Sequence, residues 1–129
     1  MTELVAVALL IASGRATSYG PHVMDDVVAN RIEWGQIDPA IQHKGYVALL
    51  ESKHLGRLVW LQHGLKIDGP YMVADCAAGH DHDRLKALGW AVDLSYELAL
   101  EWGVVDRVGE QFQVWDSDPT LDNDKYQAV

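Results

Sequence analysis

The segment Tyr71 to Asp83 reads YMVADCAAGHDHD and gathers several reactive side-chain types in one short stretch. An apolar run ends at Asp75 and at the chain's only cysteine, Cys76. Ala77, Ala78 and Gly79 follow, then His80, Asp81, His82 and Asp83. Three chemistries fit these residues. In an extended segment, alternate side chains face the same way, so His80 and His82 could share a metal, with His63 or Asp75 as a third ligand. The spacing specifies no third ligand, and a polar turn explains the histidines equally well. They are weak metal candidates, and no cofactor is expected. Cys76 could be a nucleophile beside His80 or His54. A cysteine closing an apolar strand is more often a small buried hydrophobe, and no oxyanion arrangement can be read.

The third chemistry is that of a carboxylic acid. Asp75 closes one apolar run, and Asp93 follows Ala91 and Val92 in another, AVDLS. A carboxyl at the edge of a packed strand is partly desolvated, which raises its pKa and suits it to proton donation. The structural alternatives are a helix cap or a tie that accepts backbone N–H bonds for Asp93, and acceptance of backbone bonds in a turn for Asp75.

The elements that must position these groups are short. Val23, Met24, Val27, Val28 and Ile32 recur at three- and four-residue spacing, which predicts an amphipathic helix between Pro21 and Trp34. Asp25 and Asp26 suit its first turns. Strands are predicted over Gly45–Glu51, Arg57–His63, Pro70–Cys76, Gly89–Leu94 and Gln111–Trp115, with a hairpin-type loop over Gly64–Gly69. His80–Leu88 suits a short helix or turn. Ser95 is placed to cap a helix over Tyr96–Trp102, and Gly103 to end it. Short strands at this spacing, broken by helices, predict a small barrel with helical inserts.

Composition narrows the partners. The 129-residue chain is 49% apolar, which suits one domain with a real core. Its net charge is −9 and no segment is rich in Lys or Arg, so nucleic acid is an unsuitable partner. A single cysteine excludes an intrachain disulfide framework. Five Trp and five Tyr against one Phe suit either a core or a carbohydrate platform. Trp34 and Trp90 flank loops and are the better sugar-stacking candidates.

Leu4 to Ala12 is apolar but too short to span a bilayer, so no stable membrane insertion is expected. Glu3 stands where a secretory signal would carry positive charge, so no complete signal peptide is visible. Residues 1–13 are read as an apolar N-terminal segment (strand, helix or remnant signal), 14–116 as the barrel, and 117–129 as an acidic tail.

Four motifs then fall in order: GRATSYG (Gly14–Gly20), HLGRLVWLQ (His54–Gln62), GPYMVADCA (Gly69–Ala77) and AVDLSYELALEWGV (Ala91–Val104). Together they resemble the double-psi β-barrel domains of the rare lipoprotein A, barwin and expansin group. The resemblance covers roughly residues 14 to 115 as an ordered set of short motifs.

It implies a mainly β, six-stranded double-psi barrel with a groove across one face, and a polysaccharide or peptidoglycan glycan strand as partner. It also implies extracytoplasmic placement. Relatives include lytic transglycosylases, glycoside hydrolases, wall-loosening proteins and sugar-binding domains.

Carried onto this sequence, the resemblance makes Asp93 the general acid and Asp75 a second groove carboxylate. Tyr19 becomes the tyrosine of the early turn, and Glu33, Glu51 and His54 candidates for further groove residues. The chain departs from the pattern at Ser18, which replaces an aromatic residue, and at Cys76-Ala77-Ala78, which replaces Arg-Gly-Pro. These departures keep a second expectation open, a non-catalytic glycan-binding or protein-interaction module of the same fold.

Overall fold

In the computed structural model, which describes residues 7–107 and 109–121, six strands close into a barrel. They are β1 (Leu10–Ser18), β2 (Tyr46–Leu49), β3 (Leu58–His63), β4 (Lys66–Cys76), β5 (Trp90–Leu94) and β6 (Gln111–Trp115). Their order around the barrel is β1-β5-β2-β4-β3-β6, with β6 pairing back to β1. Two pairs are parallel, β1 with β5 and β2 with β4, and the others are antiparallel. Closure leaves no unpaired sheet edge.

Alternation along the strands fills the interior. Ala16, Val47, Leu49, Val59, Leu61, Val73, Val92, Leu94, Phe112 and Val114 pack in one cluster. α3 (Tyr96–Trp102) adds Leu98, Ala99 and Trp102 to it. The Ser95 side chain accepts a hydrogen bond from the Leu98 N–H, and Gly103 ends the helix in the left-handed conformation, as the sequence predicts.

β4 is buried on both faces. Tyr71 and Val73 point inward, whereas Met72 and Ala74 lie under α1 (Val23–Glu33), against Met24, Val28 and Ile37. This explains four consecutive buried residues in a strand. It also fixes α1 across the outer surface of the barrel.

One expectation is corrected. The Gly64–Gly69 segment is not a six-residue loop, because β4 begins at Lys66 and Ile67 pairs with Gln62. Only Gly64 and Leu65 reverse the chain, and the backbone ladder outweighs the turn propensity of Gly69 and Pro70. The His80–Leu88 stretch holds a turn and a short helix, as expected, so His80 and His82 do not alternate along a strand. The Asp81 and His82 N–H groups bond to the Ala78 carbonyl, and His82 opens α2 (His82–Ala87). Among the segments read as terminal, Leu10–Ser13 belongs to β1, while residues 1–6 and 122–129 lie outside the described residues. Among the described residues no helix is long and apolar enough to cross a membrane.

Candidate functional site

The register of four neighbouring strands sets Thr17, Asp93, Ala48 and Asp75 on one rung. Thr17 of β1 lies opposite Asp93 of β5, Asp93 opposite Ala48 of β2, and Ala48 opposite Asp75 of β4. The neighbours Ala16, Val47, Val92 and Leu94 face the interior, so the rung faces outward. On β4 the register slips between Val47 and Ala48. Val73 opposes Val47 and Asp75 opposes Ala48, leaving Ala74 as the extra residue. Such a bulge re-aims the side chain that follows it.

Asp75 is tightly held. The Tyr19 hydroxyl donates to its Oδ2 at 2.6 Å, Arg31 Nη2 to its Oδ1 at 2.7 Å, and the Cys76 N–H to the same oxygen at 2.9 Å. The Arg31 and Asp75 side chains are only 17% and 20% exposed, so each is a partly desolvated charge that depends on the other. The Cys76 bond realises the turn role foreseen for Asp75. The Tyr19 and Arg31 bonds add a second role that joins three elements.

Asp93 is the opposite case. Its Oδ1 is buried and has no hydrogen-bond partner among the described residues. Burial pushes the carboxyl up to about 7, the Asp75 charge adds to the rise, and a hydrogen bond from Thr17 opposes it. Thr17 Oγ1 accepts from Trp90 Nε1 at 2.8 Å, which leaves the hydroxyl proton to be donated to Asp93. Asp93 is not the helix cap, since Ser95 fills that role.

Tyr19 bonds Asp75 and feels the charge of both carboxyls. Its phenol is pushed well above the usual range, first by burial, then by its hydrogen bond to Asp75, with the charges of Asp75 and Asp93 adding. It therefore stays a protonated donor at any ordinary pH.

Two neighbouring cavities begin beside the rung. One of about 540 Å³ is lined by Leu50, Glu51, Cys76, Ala77, Gly79 and His82, among others. The other, of about 310 Å³, shares Leu50 and Glu51 and adds His54, Lys86, Trp90 and Ala91. Leu50 follows Ala48 by two residues and Ala91 precedes Asp93 by two. The cavities thus start one pleat, about 7 Å, from the rung on the same strands. Asp93 and Asp75 border this space without lining it.

Of the residues singled out in the sequence, Tyr19, Asp75 and Asp93 come together. Trp90 joins them through Thr17, and His54 lines the cavity, its imidazole pKa lowered by burial. Trp34 stands 64% exposed at the end of α1, with the Arg31 guanidinium 5.9 Å from its ring centre. Glu33 is exposed at the last position of α1.

His80 and His82 do not converge. His80 pairs with Asp81 in solvent, and His82 Nε2 bonds Glu51 at 2.9 Å. His63 stacks on Phe112 and reaches the Gln111 carbonyl. Among the described residues, no group of three or more His, Cys, Asp or Glu side chains could hold a metal ion.

Sequence reading missed Arg31 and Thr17. Arg31 does carry a signal. It follows Met24 by seven residues and Val28 by three, which places a cation on the helix's apolar stripe. A cation there requires a buried anion opposite.

Comparison with protein-family models, curated proteins and solved structures finds no match to this chain.

Proposed function

We propose that this chain is a polysaccharide-directed double-psi β-barrel, similar to the rare lipoprotein A, barwin and expansin group, and that it cleaves glycan strands with Asp93 as general acid. Two parallel strand pairs inside one closed six-stranded barrel, and the order of the sequence motifs, support the fold assignment. The observation that carries the activity is Asp93 itself. It is a carboxyl raised to about 7, with one buried oxygen that no donor among the described residues satisfies, on an outward-facing rung.

The chemistry follows from the protonation states. The Asp93 proton passes to the glycosidic oxygen as the bond to the anomeric carbon breaks, and the leaving sugar departs as an alcohol. The Asp93 carboxylate then takes the proton of the hydroxyl that attacks the anomeric carbon. If that hydroxyl belongs to the same sugar, the product carries an anhydro end. If it belongs to water, the product is a reducing sugar. Asp75, engaged by three donors, holds Tyr19 and sets the field at Asp93. Trp34 and Trp90 supply flat faces for sugar rings. This reading places the protein outside the cytoplasm, where such polymers lie.

A second reading, a glycan-binding barrel without catalysis, is favoured by one specific feature. The small residues Ala77 and Ala78 stand where the resemblance calls for Arg-Gly-Pro, and the cavity they line borders the carboxyls rather than enclosing them. Mass spectrometry of products from peptidoglycan, peptide-free glycan strands and amorphous cellulose separates the two readings. Cleavage of at least one substrate is expected. Binding without products on all three would establish the second reading.

A further inference from the structure

We propose that Arg31 is a positioning residue of the acid site, acting on Asp93 through Asp75. The inference rests on the reading of Asp93 as the acid, and its geometry stands apart from any substrate.

Arg31 lies in the last turn of α1, and its guanidinium makes three contacts. Nη2 donates to Asp75 Oδ1 at 2.7 Å, Nη1 donates to Gln36 Oε1 at 2.7 Å, and the guanidinium carbon lies 5.9 Å from the Trp34 ring centre. The Gln36 bond fixes the plane of the group, so its other edge is aimed at Asp75. Asp75 in turn accepts from Tyr19 and stands two strands from Asp93 across Ala48.

The groups that can act on Asp93 are few. β4 presents Asp75, whose charge raises Asp93. The end of β1 presents Tyr19, a neutral donor turned to Asp75, and β1 itself presents Thr17. β2 presents the methyl group of Ala48. α1 reaches the site through Arg31, which offsets the Asp75 charge and holds the Asp75 carboxylate in place. Arg31 thereby keeps the two carboxyls distinct, one an ion-paired acceptor and the other a proton carrier.

The test is the titration of the Asp93 side-chain carboxyl by carbon-detected NMR on labelled protein, with the signal assigned from Asp93→Asn. It compares wild type, Arg31→Met, Arg31→Lys, Asp75→Asn and the double variant Arg31→Met/Asp75→Asn. Arg31→Met should move the Asp93 midpoint upward by about one pH unit, because the Asp75 charge is left uncompensated. Arg31→Lys, which keeps the charge, should hold it close to wild type. In the Asp75→Asn background the further change Arg31→Met should have a smaller effect, because only the guanidinium's own field at Asp93 is then removed and no held carboxylate is released.

An Asp93 midpoint unchanged in folded Arg31→Met would overturn the proposal. So would an Arg31→Met effect of equal size with and without Asp75, since that would make Arg31 act directly. If Arg31→Met does not fold, Arg31→Lys and Asp75→Asn still decide. Asp75→Asn must lower the midpoint, and a midpoint that stays put there overturns the proposal. The readout needs no turnover. A midpoint that moves in a protein without cleavage would refute the glycan-cleaving function and leave the positioning role standing. Cleavage with an immobile midpoint would do the reverse.

Discussion

Asp93 and Asp75 flank Ala48 on a single outward-facing rung, and the protein treats them oppositely. Asp75 accepts bonds from Tyr19, Arg31 and the Cys76 N–H, whereas one Asp93 oxygen is buried without a donor among the described residues. The proposed division between an acid and an anchor rests on this divergence of environments.

The first consequence is for stability. Asp93 holds its proton up to about pH 7 in the folded chain but releases it near 3.8 when unfolded. Between those values the folded state binds more protons, so this group's contribution to stability falls as pH rises, by at most about 1.4 kcal/mol per pH unit. Asp93→Asn removes the penalty. Urea unfolding should find the variant equal to wild type near pH 4 and increasingly more stable toward pH 8. A difference independent of pH would contradict the burial of Asp93.

Tyr19→Phe deletes the donor at 2.6 Å from Asp75 and keeps the ring. Hydrogen bonds to charged groups contribute about 1.5–3 kcal/mol, and partial exposure at this site places the expected loss near the lower figure. Chemical denaturation checks it, and a loss below about 0.3 kcal/mol would mean that the bond contributes nothing net.

The strand arrangement itself depends on Gly14. Its φ is +152°, and a Cβ there would lie 2.2 Å from the Gly89 carbonyl oxygen, the same atom that accepts from the Arg15 N–H. Gly14→Ala must push β1 away from the start of β5. It should cost more than about 2 kcal/mol, read as a fall in the urea midpoint.

Much of this was legible in the sequence. Short apolar runs between turn residues located β2 to β6, and Ser95 and Gly103 marked the ends of α3, because these signals act between near neighbours, whereas the start of β1 was left open as strand, helix or signal. Asp75 and Asp93 were recognisable because each ends or follows an apolar run, whereas Tyr19 entered only through the resemblance of its turn. The extent of β4 was hidden, since its first residues carry turn-type side chains and are held by pairing with β3. The Arg31–Asp75 bond joins residues 44 apart, and its partner depends on how α1 docks on β4. A cation in the apolar stripe shows that a partner is needed without naming it.

His82 offers a check on the α2 flank of the cavity. Its hydrogen bonds to Glu51, then Asp83, raise its pKa, and the same Glu51 contact lowers that of Glu51. A raised histidine stabilises fully below the unfolded value, near 6.5, and that contribution is lost as pH rises through the folded value. Hydrogen exchange in α2, corrected for intrinsic chemistry, should therefore quicken above neutral pH in wild type. His82→Gln should flatten that response, and a response kept by the variant would exclude the contact as its cause.

The most direct measurement compares wild type with Asp93→Asn on peptidoglycan, peptide-free glycan strands and amorphous cellulose, with products read by mass spectrometry and folding checked by circular dichroism. Wild type should release products, more slowly as pH rises through about 7, where Asp93 loses its proton. The folded variant should release at least about a hundredfold less, the usual contribution of a general acid. Products formed equally by both proteins would contradict the assignment of Asp93 as the acid. No product from wild type on any of the three would leave the barrel a binding module.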